Sequence, residues 1–197
     1  GIMYSATHST NTCAVANVSF GAKNVKAAWE FMLVTDSSQD ECSVFGAARV
    51  PLRSRCYSTS GDLWMRRAYN GYLYSCGRSI GRSLEKVHAG DIVRVEYDAA
   101  EETISYGLNG SEMEVAFTDV RGEIAPCCGS YRMGVQVRLL KVEVFGDASA
   151  ADDESPCIQE LAFHLEDESS KNKEPAVLQV PSPKTGSSQV EMCLTAR

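Results

Sequence analysis

The chain has 197 residues, 44% of them hydrophobic, and a formal charge of −7 at pH 7. A chain of this length can bury roughly 70% of its unfolded surface in one core. The charge is uneven, because residues 1–147 carry 17 acidic and 15 basic side chains, whereas residues 148–197 carry 9 and 4. The nearly neutral first part does not favour nucleic-acid binding. No apolar run approaches the ~20 residues of a membrane-spanning helix.

The first half of the chain is predicted to consist of strands joined by turns. Residues 27–34 alternate as a strand that is largely buried on both faces. Residues 43–48 form the next predicted strand, in which Gly46 permits close packing. Aromatic residues concentrate in 63–74 and indicate core and hairpin packing. Residues 83–89 are either a loop or a single helical turn.

The most regular stretch runs from residue 91 to residue 117. Residues 92–98 alternate between apolar and charged side chains, which predicts a strand with one buried face. Residues 104–108 repeat the alternation, and Asn109-Gly110 follows. This dipeptide favours a type I′ turn, because both central residues of that turn need a positive φ. The stretch therefore predicts an antiparallel meander of three strands with no helix between them.

Several short motifs follow one another in a characteristic order between residues 14 and 146. They are Trp29-Glu30-Phe31, Leu73-Tyr74-Ser75-Cys76-Gly77, the meander with its Leu108-Asn109-Gly110 turn, Ile124-Ala125-Pro126 and a closing strand that ends in Phe145-Gly146. Together they resemble the SPRY domain, the core of the B30.2 module, without the PRY segment that precedes it there. The resemblance implies an all-β fold, a two-layer antiparallel β-sandwich over residues 1–147.

The resemblance also implies a non-catalytic module for protein–protein interaction, in which a rigid sandwich presents variable loops at one end. By resemblance, the domain would capture a partner or substrate peptide inside a large intracellular protein, most often a ubiquitin ligase. Carried over by position, the pocket is lined by residues 5–10 and by two later loops. The expected contact residues of those loops are Arg53, Arg55, Tyr57, Ser58, Gly129, Ser130 and Tyr131, with Tyr57 as an aromatic anchor.

The sequence departs from the family at two of these loops. The early loop lacks the family's Arg-Pro, and Cys128-Gly129 stands where peptide-binding members have Trp-Gly. The Asn-rich ligand motif of the members that carry a SOCS box is therefore not carried over to this chain. Residues 49–82 contain several arginines and a single acid, Asp62. This composition predicts either a solvated face or a basic rim that favours an acidic protein or peptide.

Two other classes of function stay open at this point. One is a structural role, in which the domain packs against its neighbours in a large protein such as a calcium-release channel. The other is a serine hydrolase, because Gly77-Arg78-Ser79-Ile80-Gly81 matches the G-x-S-x-G nucleophile elbow. That elbow requires a strand-to-helix turn in a parallel sheet, and no βαβ pattern surrounds the motif, so a glycine-rich turn is the favoured interpretation.

The eight cysteines and three histidines do not form a metal-binding pattern. No C-x-x-C pair and no zinc-finger spacing occurs, so we expect neither a metal nor a cofactor. Scattered free thiols are typical of a cytoplasmic protein. Cys127 and Cys128 are neighbours, and in a strand they would point to opposite faces.

Residues 148–197 are acidic and rich in Ser, Lys, Pro and Gln, which predicts a mostly disordered tail. One short amphipathic helix is expected over residues 156–166, because Ser155-Pro156 resembles a helix start and apolar residues follow at helical spacing. The tail is also expected to fold back onto the arginine-rich segment as an internal competitor for an acidic partner.

Overall fold

Alternating side chains along the strands produce two packed β-sheets in the computed structural model. The structure describes residues 1–7, 11–21, 23–37 and 43–145, together with two short strands near the C-terminus. The described residues contain strands and turns and no helix. The predicted all-β, two-layer antiparallel sandwich is thereby confirmed.

The strands are numbered in chain order. They are β1 (Ile2–Ser5), β2 (Thr12–Ala16), β3 (Lys26–Thr35), β4 (Ser43–Arg49), β5 (Leu63–Arg67), β6 (Tyr72–Ser75), β7 (Arg78–Ser83), β8 (Ile92–Asp98), β9 (Thr103–Leu108), β10 (Glu114–Phe117), β11 (Ile124–Ser130), β12 (Gln136–Phe145), β13 (Phe163–His164) and β14 (Met192–Cys193). The first sheet has the order β10-β9-β8-β3-β12-β1-β14, and the second has the order β13-β2-β11-β4-β5-β6-β7. All pairs are antiparallel except β1 with β14.

The meander forms as predicted. Strands β8, β9 and β10 are consecutive neighbours at one edge of the first sheet. Asn109 and Gly110 both have positive φ, 51° and 80°, as the type I′ turn requires. Val115 lies on the return strand β10 but is exposed, and a bulge between Val115 and Phe117 shifts the register so that Ala116 and Phe117 are both buried.

The core has two parts. The larger cluster lies between the sheets and contains Trp29, Phe31 and Tyr106. The smaller cluster covers the outer face of the second sheet. Cys127 belongs to the smaller cluster and Cys128 to the larger one, which confirms that the two neighbours point to opposite faces. The second sheet is therefore buried on both faces, and its outer layer has to come from a loop.

Hydrogen bonds from two aromatic side chains of the first sheet connect it to β4 and β5 of the second. The hydroxyl of Tyr106, which is buried, donates to the carbonyl oxygens of Phe45 and Trp64 at 3.1 and 3.2 Å. The indole N–H of Trp29 donates to the carbonyl oxygen of Gly46 at 3.2 Å. A Cβ on Gly46 would lie 2.0 Å from the Trp64 carbonyl oxygen and 2.6 Å from the Tyr106 hydroxyl. Only glycine allows this approach.

Helix had been one alternative for residues 83–89 and the expectation for residues 156–166. Residues 83–89 continue from β7 into a loop, which is the other alternative for that segment. The expected helix over 156–166 lies outside the described residues except at Phe163–His164. These two residues form β13, which pairs with β2, so the helix prediction is wrong there.

Replacing Tyr106 by Phe tests the bonds between the sheets. We expect Tyr106→Phe to lower the free energy of unfolding by about 1–3 kcal/mol, because the two buried carbonyl groups lose the one hydroxyl proton that they share. Chemical denaturation measures this change. Tyr97→Phe is the matched control, since the Tyr97 hydroxyl makes one long 3.5 Å bond to Gly122 and should cost less. Equal losses in the two variants would contradict the role assigned to Tyr106.

Candidate functional site

The segment between β4 and β5, residues 50–62, supplies the outer layer of the second sheet. Its ends are held together, because the Arg49 amide donates to the Asp62 carbonyl at 2.8 Å. The Asp62 carboxylate is buried and accepts hydrogen bonds from Arg53 at 2.8 and 2.7 Å, with Arg49 at 3.5 Å. These contacts fix the base of the loop, and its middle then folds back along the sheet.

Tyr57 lies at the middle of this loop and is buried, with only 2% of its surface exposed. Its ring meets Tyr74 edge-on at 5.0 Å between centroids. Its hydroxyl accepts a hydrogen bond from Arg67 at 3.0 Å, and the Arg67 guanidinium lies over both tyrosine rings, 5.9 and 5.3 Å from their centroids. Burial raises the pKa of Tyr57, and the Arg67 contact partly offsets that rise.

A shallow concavity of about 390 Å³ opens beside this cluster. We call it the Tyr57 concavity. Its walls come from three separate loops and one strand, and the lining residues are Asn11, Tyr57, Ser58, Arg67 and Tyr131. The rigid tyrosine–arginine cluster forms its floor, while Ser58 and Tyr131 are half-buried and Asn11 is exposed at its rim. This combination of aromatic edges and adaptable polar groups is typical of surfaces that bind peptides.

Three of the seven contact residues expected from the sequence meet in this concavity: Tyr57, Ser58 and Tyr131. Arg55 lies nearby and donates to the Cys13 carbonyl oxygen at 3.0 Å, which holds the loop against β2. Arg53 does not line the concavity, because its guanidinium binds Asp62 at the base of the loop.

The two remaining residues of the expected set, Gly129 and Ser130, are buried, and so is Tyr57. Ser130 is 1% exposed, and its hydroxyl is 3.1 Å from the Tyr4 hydroxyl. Gly129 lies under β2, where a Cβ would approach the Thr12 carbonyl oxygen to 2.5 Å. Tyr57 is 2% exposed, so its ring does not project into solvent. The expectation of an exposed aromatic anchor is therefore corrected: the apolar outer face of the sheet needs that ring as its cover.

The arginines of residues 49–82 do not form one continuous rim. Arg66 is buried between the sheets and donates to the Glu85 carbonyl oxygen. Arg82 pairs with Glu114 across the edge strands β7 and β10. Arg67 lies on the opposite face of β5, in the floor of the concavity. Consecutive residues of a strand point to opposite faces, and this alternation disperses the charge.

The Gly77–Gly81 motif lies at an antiparallel edge. Ser79 is an exposed residue of β7 and pairs with Tyr74 of β6, so no strand-to-helix turn holds it. The geometry of a nucleophile elbow is not formed. Gly77 has a φ of 71° and packs against the Thr59 carbonyl oxygen, which gives this glycine a role in the turn.

Five cysteines between residues 13 and 128 are free thiols, and they differ in exposure. Cys13, Cys127 and Cys128 are buried, whereas Cys56 is half-buried and Cys76 is exposed.

Among the residues that the structure describes, no three His, Cys, Asp or Glu side chains could together hold a metal ion. No helix within the described ranges is long and apolar enough to cross a membrane.

Comparison with known proteins gives the class of the chain. A family model described as "SPRY domain" matches residues 26–141, more than half of the sequence, and the chain belongs to the SPRY domain family. A SPRY domain is generally a protein–protein interaction module.

Two solved structures are similar to the chain. One is the SPRY domain of human HERC1, with 29% identity and a TM-score of 0.59, covering 66% of this chain and 83% of that one. The second, described as a human SPRY domain, has 19% identity and a TM-score of 0.54, with coverages of 70% and 89%, and supports the fold alone.

Sequence reasoning did not place Arg67 and Asn11 in the site. The sequence analysis considers Arg67 only as part of the arginine-rich segment, although the position of Arg67 in the strand formed by residues 63–67 indicates which face of the sheet it shares. Leu63, Met65 and Arg67 share one face of that strand, so the arginine had to lie beside whatever covers the outer sheet. Asn11 lies one residue past the early loop that the family resemblance indicated.

The Asp62 ion pair should make stability depend on pH. The hydrogen bond from Arg53 lowers the pKa of Asp62 in the folded protein, so this stabilisation is present above the ordinary aspartate pKa of about 4 and is lost as pH falls through the lowered value. We expect Asp62→Asn to melt below wild type at pH 7, with the difference shrinking towards pH 3. Glu101→Gln, at an exposed turn, is the control. A difference that stays constant with pH would contradict the ion pair's contribution.

Cysteine alkylation should distinguish the loop thiol from the buried thiols. Burial opposes ionisation of Cys56, but hydrogen bonds from Ser58 and Thr59 outweigh it and lower the pKa of Cys56, whereas burial raises the pKa of Cys127 and Cys128. We expect iodoacetamide at pH 7 to modify Cys56 more than about a hundredfold faster than Cys127 and Cys128, because these two thiols become accessible only when the sheet opens locally. Peptide mass spectrometry measures each site, and similar rates would show that the sheet is not closed.

Proposed function

We propose that this SPRY domain is a non-catalytic recognition module that binds a partner or substrate peptide at the Tyr57 concavity. The observation that supports the proposal is the meeting of Asn11, Ser58 and Tyr131, from three loops distant in sequence, around a rigid Tyr57–Arg67 floor. Loops held on a rigid sandwich can vary their side chains without loss of the fold, which suits a binding surface.

Binding would combine a floor of the concavity that is already ordered with polar groups at its rim that can adapt to a partner. The floor is ordered before any partner arrives, because a hydrogen bond and two cation–π contacts fix Arg67 against Tyr57 and Tyr74. A partner therefore would not have to order these side chains, and that lowers the entropic cost of association. Ser58 and Asn11 supply hydrogen-bonding groups, and Tyr131 supplies an aromatic edge.

The wider setting is also a proposal. By family resemblance, we infer that the domain acts in the cytoplasm as the substrate-recognition part of a ubiquitin ligase. Free thiols at Cys13, Cys127 and Cys128 support a reducing compartment. The Arg67 guanidinium and the nearby Arg55 support an acidic protein or peptide as the partner.

Substitutions at the rim of the concavity test this function. We expect Ser58→Lys and Tyr131→Ala each to weaken partner binding by about tenfold or more, since each removes or blocks a contact at the rim of the concavity. The measurement is quantitative recovery of partner proteins from cell extract by the whole chain, followed by titration of a recovered partner. Tyr57→Ala is unsuitable here, because it would remove part of the core.

Matched controls lie on the β6–β7 edge. Ser79→Lys and Tyr72→Ala make the same changes at exposed positions away from the concavity. They should bind as wild type does, and all four variants should keep the wild-type melting temperature to within a few degrees. Unchanged binding in both concavity variants, or equal losses in the controls, would remove the proposed surface.

A further inference from the structure

The loop between β11 and β12, residues 131–135, borders the Tyr57 concavity. Tyr131 lines the concavity, and Met133 follows two residues later, so their Cα atoms lie within about 7 Å of each other. Met133 is 64% exposed, the largest value for a large apolar side chain in the part of the chain that the structure describes. We call Arg132 and Met133, both exposed, the β11–β12 tip.

The backbone of the β11–β12 tip is held on both sides. The Ser130 hydroxyl donates to the Arg132 carbonyl oxygen at 3.3 Å, and the Gly134 amide donates to the Ala6 carbonyl oxygen at 2.9 Å. Gly134 has a φ of 87°, which glycine adopts without strain, and the chain turns there into β12. Met133 therefore lies between two anchored residues, and the loop presents its side chain on an ordered backbone.

Met133 differs in its surroundings from other exposed apolar residues. A single exposed apolar side chain is common on protein surfaces and by itself indicates nothing. Ile80 lies on the β7 edge and Val144 at the far end of β12, whereas Met133 borders a concavity lined by aromatic and hydrogen-bonding side chains. Methionine also suits a contact surface, because its unbranched thioether side chain adapts to the shape of a partner.

The three loops that meet at the concavity concentrate positive charge. Residues 6–11, 50–61 and 131–135 contain no Asp or Glu, in a chain whose formal charge is −7. Their arginines are Arg53, Arg55 and Arg132, and Arg67 adds a further charge from β5. Arg53 is paired with the buried Asp62, which leaves the other three to favour an acidic partner.

We propose that the β11–β12 tip extends the partner-binding surface, with Met133 packing against a large apolar side chain of the partner and Arg132 pairing with an acidic one. The inference rests on the proposed function at the Tyr57 concavity and adds the chemistry of the bound segment. An extended peptide spans about 3.3 Å per residue, so two or three residues reach from Tyr131 to the tip. The bound segment then carries its acidic residue within a few positions of the large apolar one.

Selected peptides test the apolar contact. A library of random short peptides displayed on phage is selected on the wild-type full chain, and the strongest binder is titrated by fluorescence anisotropy. We expect Met133→Asp to weaken its binding by about fivefold or more, and Met133→Leu to stay within about twofold, since leucine restores the apolar contact. Ile80→Asp, the same kind of change on the β7 edge, is the matched control and should bind as wild type does.

The same titration tests the charged contact. We expect Arg132→Glu to weaken binding of the selected peptide by about fivefold or more, with a loss that shrinks as salt is added, because exposed charges are screened. Arg78→Glu, at an exposed position of β7, is the matched control. All five variants change exposed side chains and should keep the wild-type melting temperature to within a few degrees.

Each outcome decides the inference. Losses in Met133→Asp and Arg132→Glu, without losses in their controls, would support it. A loss in Tyr131→Ala with no loss in either tip variant would keep the concavity as the binding surface and overturn the tip. No loss in any of these three variants would remove the proposed function as well. A loss in only one tip variant, equal losses in the controls, or a selection that yields no binder would also overturn the inference.

Discussion

The contact of Tyr106 and Trp29 with the backbone around Gly46 is the constraint on which the sandwich depends. These two aromatic side chains of one sheet donate hydrogen bonds to three backbone carbonyl groups on the neighbouring strands β4 and β5 of the other. Glycine at position 46 is the only residue that leaves space for this approach. These bonds fix the distance and alignment of the layers. Because β4 and β5 are held from the inner side, their outer face is a rigid platform for residues 50–62.

That platform determines the form of the candidate site. The outer face carries Val44, Leu63 and Met65, which require an apolar cover, and Tyr57 provides it. Its hydroxyl would be buried without a partner if Arg67 did not reach it from β5. The concavity therefore has a floor that belongs to the core and a rim that belongs to the loops. Substitution at the rim can change recognition, whereas substitution at the floor also changes stability.

The sequence predicts the layers far better than the site. Period-two alternation identifies β3, β8 and β9, and Asn109-Gly110 identifies a turn, because these signals are local. The burial of Tyr57 has no local signal, since it depends on an apolar face contributed by strands distant in the chain. The helix expected over residues 156–166 disagrees with the structure at Phe163–His164, which pair with β2, and a pairing between residues so far apart in the chain has no local signal either.

Site-specific photocrosslinking would test the central claim, that partners bind at the Tyr57 concavity, most directly. A photoreactive amino acid is placed at Ser58 in one version of the full chain and at Ser79, on the β6–β7 edge, in another. Binding at the concavity predicts a discrete crosslinked partner from position 58 and none of the same identity from position 79. The same partner from both positions, or from position 79 alone, would contradict the account.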